Sequence, residues 1–302
     1  MAGLYEVTAQ QYGNTVYTLA QQKNSKLRNL VRLESMTGVK KFFDRVKPTG
    51  MVKLATRHGD TPIIETEFDR RAVTAEEFGW GDMVDRKEKL DIFLDPKSDI
   101  VRAGAMAMAR GIDDLIIANG FMGVAYEGVD GNTVVPFPEA QKIPVTFGDS
   151  GAQNAGLTID KITEVISRFG RADVDIDDPD NQVYMAVTQR QMDDLARSVD
   201  LANKDYADSI RALYNGKTDT FLGVKFVKIQ CLPFTQSEGG RSRMCAAWCK
   251  SGIILAERQA LEVKIDQNMN KQYNWQVFMS TSLGCTRIED VKVQQVYCWE
   301  NA

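Results

Sequence analysis

Apolar residues follow two periodicities along the chain, and the two predict different elements. Ile100, Ala103, Ala107, Ile112, Leu115 and Ile116 recur at helical spacing and predict one buried stripe. Asp95 suits the N-cap of that helix, Pro96 its first position, and Asn119-Gly120 a left-handed stop. At ~1.5 Å per residue the rod is roughly 35 Å long. Small residues at Ala103, Gly104, Ala105, Ala107 and Ala109 let another element approach closely. A second helix is predicted from Ile159 to Phe169, capped by Thr158 and stopped at Gly170. Thr188 caps a third from Gln189 to Ser198, and helical character continues through Tyr206 to Leu213, ending at Asn215-Gly216. Val16, Leu19, Leu27, Leu30 and Val31 form a broken stripe that predicts a loosely packed helix over 15–34, an arm lying on a neighbour.

Strand-like alternation fills much of the rest. Extended segments are predicted at Pro62 to Phe68, Val183 to Val187, Phe221 to Leu232, Leu261 to Asp266, Trp275 to Ser282 and Val291 to Tyr297. Ala246 to Leu255, around Trp248, reads as a strand or a short helix in an apolar setting. Turn chemistry marks Gly79-Trp80-Gly81-Asp82, the hairpin-like Gly128 to Asn132, and a loop from Gln236 to Arg243. Strands cluster late, with helices between them, so the pattern favours α+β over a doubly wound sheet.

Arg57 to Asp91 breaks the pattern. Glu, Asp, Arg and Lys alternate there too densely to build a core, yet a structureless loop of this length is uncommon unless it is functional. A segment that cannot fold on itself is held by something else, most simply another copy of the chain. On this reading Gly59 to Lys89 is dispensable to a folded, soluble body but not to assembly.

Composition narrows the function classes. The 302 residues suffice for one large domain or two smaller ones, and 43% hydrophobic with 26% charged residues is ordinary for a soluble globular protein. No apolar run is long enough to predict a membrane span, and the first residues do not read as a secretory signal. A net charge of -4 argues against tight non-specific nucleic-acid binding. Five cysteines, an odd number, read as reduced thiols in a cytosolic setting, packing like small apolar residues. Cys245 and Cys249 lack the spacing of a zinc or redox pair, and the single histidine, His58, reads as a loop residue. Asp173, Asp175, Asp177, Asp178 and Asp180 form an acidic loop without the glycine and glutamate of a calcium-binding hand. Gly239-Gly240 with Arg241 and Arg243 could hold an anion, or form an ordinary surface loop. Phosphate-binding, dinucleotide, metalloprotease and nucleophile-elbow motifs are all absent.

The order of parts carries a resemblance. Arg70-Arg71, then Phe78-Gly79-Trp80-Gly81-Asp82-Met83-Val84-Asp85, Asp95-Pro96-Lys97-Ser98, and Arg110 to Ala118 come first. Gly223-Val224-Lys225-Phe226, Leu232-Pro233, Trp248 to Ile253 and Gly284 to Val291 follow. Across roughly residues 50 to 300 this succession resembles the major capsid proteins of tailed bacteriophages. The resemblance implies a Hong Kong 97-like fold: an N-terminal arm over 1–56, an extended loop over 57–94 and a peripheral domain with the spine helix over 95–179. An axial domain over 180–256 and strands returning to the peripheral domain over 257–302 complete it. It implies a shell-forming subunit, self-assembling as hexamers and pentamers into an icosahedral virion capsid around double-stranded DNA, built in the host cytoplasm. Implied partners are a separate scaffolding protein, a portal and a decoration protein, with no membrane. No catalytic, cofactor or metal residue is expected. The competing readings are an encapsulin-like nanocompartment shell and a cytosolic enzyme using Cys249 or a carboxylate pair.

Overall fold

The computed structural model describes residues 21–53, 61, 63–84, 96–148, 154–176, 178, 181–198, 204–216, 218–237 and 240–300. Strands β1 (Arg32–Ser35), β2 (Lys40–Val46), β3 (Phe68–Thr74) and β4 (Glu76–Val84) come first. Helix α1 (Pro96–Leu115) runs into a π-helical turn at Ile116–Met122, followed by β5 (Ala125–Glu127), β6 (Thr133–Val135) and β7 (Lys142–Ile143). Then come α2 (Ile159–Arg171), β8 (Val183–Val187), α3 (Gln189–Ser198) and α4 (Lys204–Tyr214). The last third is strand: β9 (Thr220–Phe221), β10 (Val224–Lys228), β11 (Phe234–Ser237), β12 (Gly240–Cys249), β13 (Ile253–Asn268), β14 (Asn274–Arg287) and β15 (Val293–Glu300).

These strands form three sheets. The largest has the order β7-β15-β12-β8-β10-β9, with β11 also on β12. Its central strands are apolar on both faces, as strands covered on two sides require. Val183, Met185, Ala186 and Val187 of β8 and Met244 to Cys249 of β12 are buried. Trp248 lies 4.7 Å from the Phe121 ring and 5.8 Å from the Tyr184 ring, and its indole N–H donates to the Leu30 carbonyl at 3.0 Å. A second sheet runs β1-β13-β14-β4 and a third β2-β3-β5-β6. Helix α1 packs on the second sheet, where Met108 meets Val277 and Met279.

The hairpin at Gly128 to Asn132 is present, with Gly128 and Gly131 at φ 93° and 61° between β5 and β6. So is α2, whose Thr158 side chain accepts from the Lys161 amide, although the helix passes through Gly170 to Arg171. Leu222 and Gly223, at φ 51° and 78°, turn β9 into β10.

Several expectations are corrected. Gly79-Trp80-Gly81-Asp82 is not a turn but the middle of β4, paired antiparallel with β14. Its glycines make room instead: Gly79 and Gly81 lie against the Phe278 ring, and Trp80 packs on Gly104 of α1. Likewise Gly120 does not stop the helix. A Cβ there would meet Ile253 at 3.2 Å and the Cys285 sulfur at 3.3 Å, so it is a close-approach glycine inside the π turn. The buried stripe of α1 is shifted, with Ala103 exposed and Gly104, Met106 and Met108 buried. Of the helix expected over 15–34, residues 15–20 lie outside the described residues. The rest is a short 3-10 turn at Arg28–Leu30 followed by β1. Its amides are taken elsewhere, since Asp113 accepts from the Lys26 and Leu27 N–H groups.

The extended segment expected at Pro62 to Phe68 begins instead at Phe68, and Pro62 lies outside the described residues. Gln236 to Arg243 is largely a β11–β12 hairpin rather than a loop. The closing strand β15 joins the seven-stranded sheet, while β14 packs against α1. Gly59 to Lys89 is not dispensable to the body: it contains β3 and β4, and Arg71, Ala72 and Val73 are buried.

Candidate assembly surfaces

Strands β2 and β3 form a two-stranded ribbon, in register from Lys40↔Thr74 to Val46↔Phe68. The Lys47 amide donates to the Glu67 carbonyl at 3.0 Å and extends the ladder by one step. Cross-strand ion pairs Asp44–Arg70 at 3.0 Å and Lys47–Glu67 at 2.6 Å explain why so charged a segment holds a strand. At and beyond the last paired residues, among the described positions, the ribbon carries exposed apolar side chains. Met51 is 101% exposed, Ile63 90% and Phe68 72%.

The base of the ribbon is locked. Arg71, 1% exposed, meets Glu127 of β5 at 2.8 Å and Asp290 at 2.6 Å. Arg45 pairs with Asp69 and with Glu127, and donates to the Ile288 carbonyl at 2.7 Å. Arg287 bonds Asp290 at 2.6 Å and lies over the Phe137 ring. Burial pulls the Arg287 pKa down, and the Asp290 carboxylate opposes that pull. Three guanidinium groups and three carboxylates therefore join ribbon, hairpin and C-terminal return.

A second anchor fixes the N-terminal segment. Asp113, buried on α1, accepts from Ser25 Oγ at 2.6 Å, from the Lys26 and Leu27 amides at 3.0 Å each, and from Gln22. Arg110 one turn away donates to Gln21 Oε1 at 2.6 Å.

The residues with chemical candidacy do not converge. Cys249 is buried, which pushes its thiol up to about 12, so it is a poor nucleophile. All five cysteines are free, and only Cys231 is exposed. Among the described residues no group of three His, Cys, Asp or Glu side chains could hold a metal. His58, Asp177, Asp180 and Gly239 lie outside the described residues. Arg243 is occupied by Glu300 at 3.0 Å and by the Phe234 ring at 3.4 Å, leaving it no open fork for an anion. Lys161 is a buried residue the sequence reading missed. Its ammonium donates to four carbonyls, Val145, Ala155, Gly156 and Tyr297, at 2.8 to 3.1 Å, tying α2 to β15. Burial pulls its pKa below the usual lysine value.

What converges is surface and anchorage, not reactive groups. A phage capsid protein family model matches residues 5–300. The chain belongs to that family. This capsid protein superposes on the capsid of Ralstonia phage GP4 with a TM-score of 0.74 at 10% identity, over 100% of this chain and 98% of that one. The capsid structure of cyanophage P-SCSP1u gives 0.69 at 12% identity, over 100% and 96%. A Mycobacterium phage Che8 chain gives 0.67 at 14%, over 97% and 98%. No curated protein sequence matches the capsid protein. The fold is α+β and Hong Kong 97-like, and its place is the capsid of the virion. As a major capsid protein it forms the shell.

Proposed function

We propose that this capsid protein builds a closed icosahedral shell of hexamers and pentamers around double-stranded DNA, with the β2–β3 ribbon as the strap onto the adjacent subunit. The observation that carries this reading is the ribbon itself, exposed and apolar at and beyond its last paired residues and pinned by buried charge at its base. Exposed apolar groups on a locked projection fit an interface between copies better than a solvated loop. The strap then covers 40–74, upstream of the expected 57–94. The sheet under α1 serves as the peripheral unit, and the seven-stranded sheet with α2, α3 and α4 as the axial one. A scaffolding protein, a portal and a decoration protein are proposed partners, and the role is structural rather than catalytic. A match to phage capsid proteins over 5–300 favours a viral shell over an enzyme-filled compartment.

The test replaces residues 48–66 with an Asn-Gly turn, which keeps the β2–β3 ladder. The shortened chain is expected to stay folded by circular dichroism and to give no closed shells by negative-stain electron microscopy. Normal shells from it would remove the strap reading.

A further inference from the structure

Lys161 of α2 is fully buried, and its ammonium donates to neutral backbone carbonyls alone. The Val145 oxygen lies at 3.1 Å, Ala155 at 2.8 Å, Gly156 at 3.0 Å and Tyr297 at 2.9 Å. An ammonium carries three N–H donors, so these four oxygens outnumber the directed hydrogen bonds it can make. Carbonyl dipoles aimed at one point form an electrostatic cage, the kind that replaces the hydration shell of a potassium ion. Calcium and magnesium do not suit it, because they sit about 2.0–2.6 Å from their oxygens and favour carboxylates.

The backbone around the cage has hydrogen bonds of its own. The β7 ladder on β15 stops at Val296↔Ile143. Beyond it, the Trp299 amide of β15 donates to the Ala155 carbonyl at 3.0 Å. The Ala155 amide donates to the Val145 carbonyl at 3.1 Å and closes the loop between them. Loop closure thus gathers the Val145, Ala155 and Gly156 oxygens beside β15, which supplies the Tyr297 oxygen. Buried carbonyls crowded together are costly without a positive charge or donors among them. Side chains on a helix lean toward its N-terminus, so Lys161 in the first turn of α2 reaches back to the loop that precedes it. Gly156 also lines an open pocket of about 360 Å³ with Thr158, Arg190, Asp194 and Arg197, which gives a small ion a way in.

We infer that the four carbonyls are a binding site for a large monovalent cation, potassium or ammonium, which Lys161 fills from within the chain. The lysine is a tethered cation. It joins the 145–156 loop and α2 to β15, and it leaves the subunit indifferent to which monovalent salt surrounds it. Neither the ribbon nor its base takes part, so this inference stands or falls apart from the strap reading.

The test is a Lys161→Ala chain, which empties the cage and the channel of the lysine stem. Urea unfolding is followed by circular dichroism in potassium, ammonium and tetramethylammonium chloride at one ionic strength. The tetramethylammonium ion is too bulky for the cage, and the parent chain in each salt is the reference for general salt effects. Relative to the parent, Lys161→Ala is expected to be destabilised in tetramethylammonium and to recover in potassium or ammonium. Its folded-to-unfolded ratio is expected to rise about tenfold once the ion stands about tenfold above its dissociation constant. Lys161→Met keeps an apolar stem without the charge, leaves no room for an ion, and is expected to stay destabilised in every salt. A Lys161→Ala chain equally unstable, or unfolded, in all three salts would overturn the cation site. So would a Lys161→Met chain that matches the parent or recovers with the same ions.

Discussion

Cys249 and Cys285 sit among core residues, and burial pushes both thiols up to about 12, while exposed Cys231 rises to about 11. A folded-state pKa above the unfolded value means the folded chain holds the proton longer. The stability from keeping these thiols neutral is complete below about pH 9 and is lost as pH climbs toward 12. Each thiol adds a slope approaching ~1.4 kcal/mol per pH unit inside that window. Urea unfolding of Cys285→Ala at pH 8 and pH 10 is therefore expected to show a smaller pH loss than the parent chain. An equal loss in both would mean that Cys285 ionises freely in the fold. Which of the five thiols are buried was not legible, because a cysteine in sequence carries no mark of the surface that will cover it. Lys161 shows the same limit, because a lysine at the start of a helix gives no sign in sequence that four carbonyls will close around it.

At the level of elements, glycine separates what the sequence could and could not reveal. Helical spacing located α1, α2 and α3, and Thr158 located a cap, because these depend on neighbours a few residues away. The glycines at 79, 81 and 120 misled because turn-forming and close-packing glycines look alike until the partner surface is known. Gly104 and Gly111 of α1 make the contrast measurable. A Cβ at Gly104 would fall 2.5 Å from the Trp80 ring, whereas one at Gly111 meets nothing within 4 Å. Gly111→Ala is expected to stabilise by about 0.5–1 kcal/mol through helix propensity alone. Gly104→Leu forces Trp80 off β4 and is expected to cost about 1–3 kcal/mol. Thermal or urea unfolding of the two variants checks the signs, and equal shifts would mean that Trp80 yields without loss.

Across the whole molecule, the proposed strap depends on holding a projection at a fixed angle, and the network at its base was the least legible part. Arg71, Glu127 and Asp290 are each ordinary charges in sequence, and more than 150 positions separate the last two. Only the fold brings them within 2.6 to 2.8 Å. The planar fork of Arg71 serves two carboxylates on two different elements, which a lysine ammonium cannot reproduce. Arg71→Leu leaves both carboxylates without that partner and is expected to cost about 2–3 kcal/mol, less than the ~3–5 of a fully buried pair because they keep some solvent. Arg71→Lys is the more telling variant. It keeps the charge and so most of the stability, but it releases one of the two carboxylates and frees the ribbon to tilt. Amide exchange followed by mass spectrometry is expected to quicken over 40–46 and 68–74 while the β8 and β12 amides stay protected. Shell yield is expected to fall although the subunit remains folded. If exchange in the ribbon is unchanged and shells close normally, the network only fills space, and the angle of the ribbon is set by the β3–β5 pairing instead.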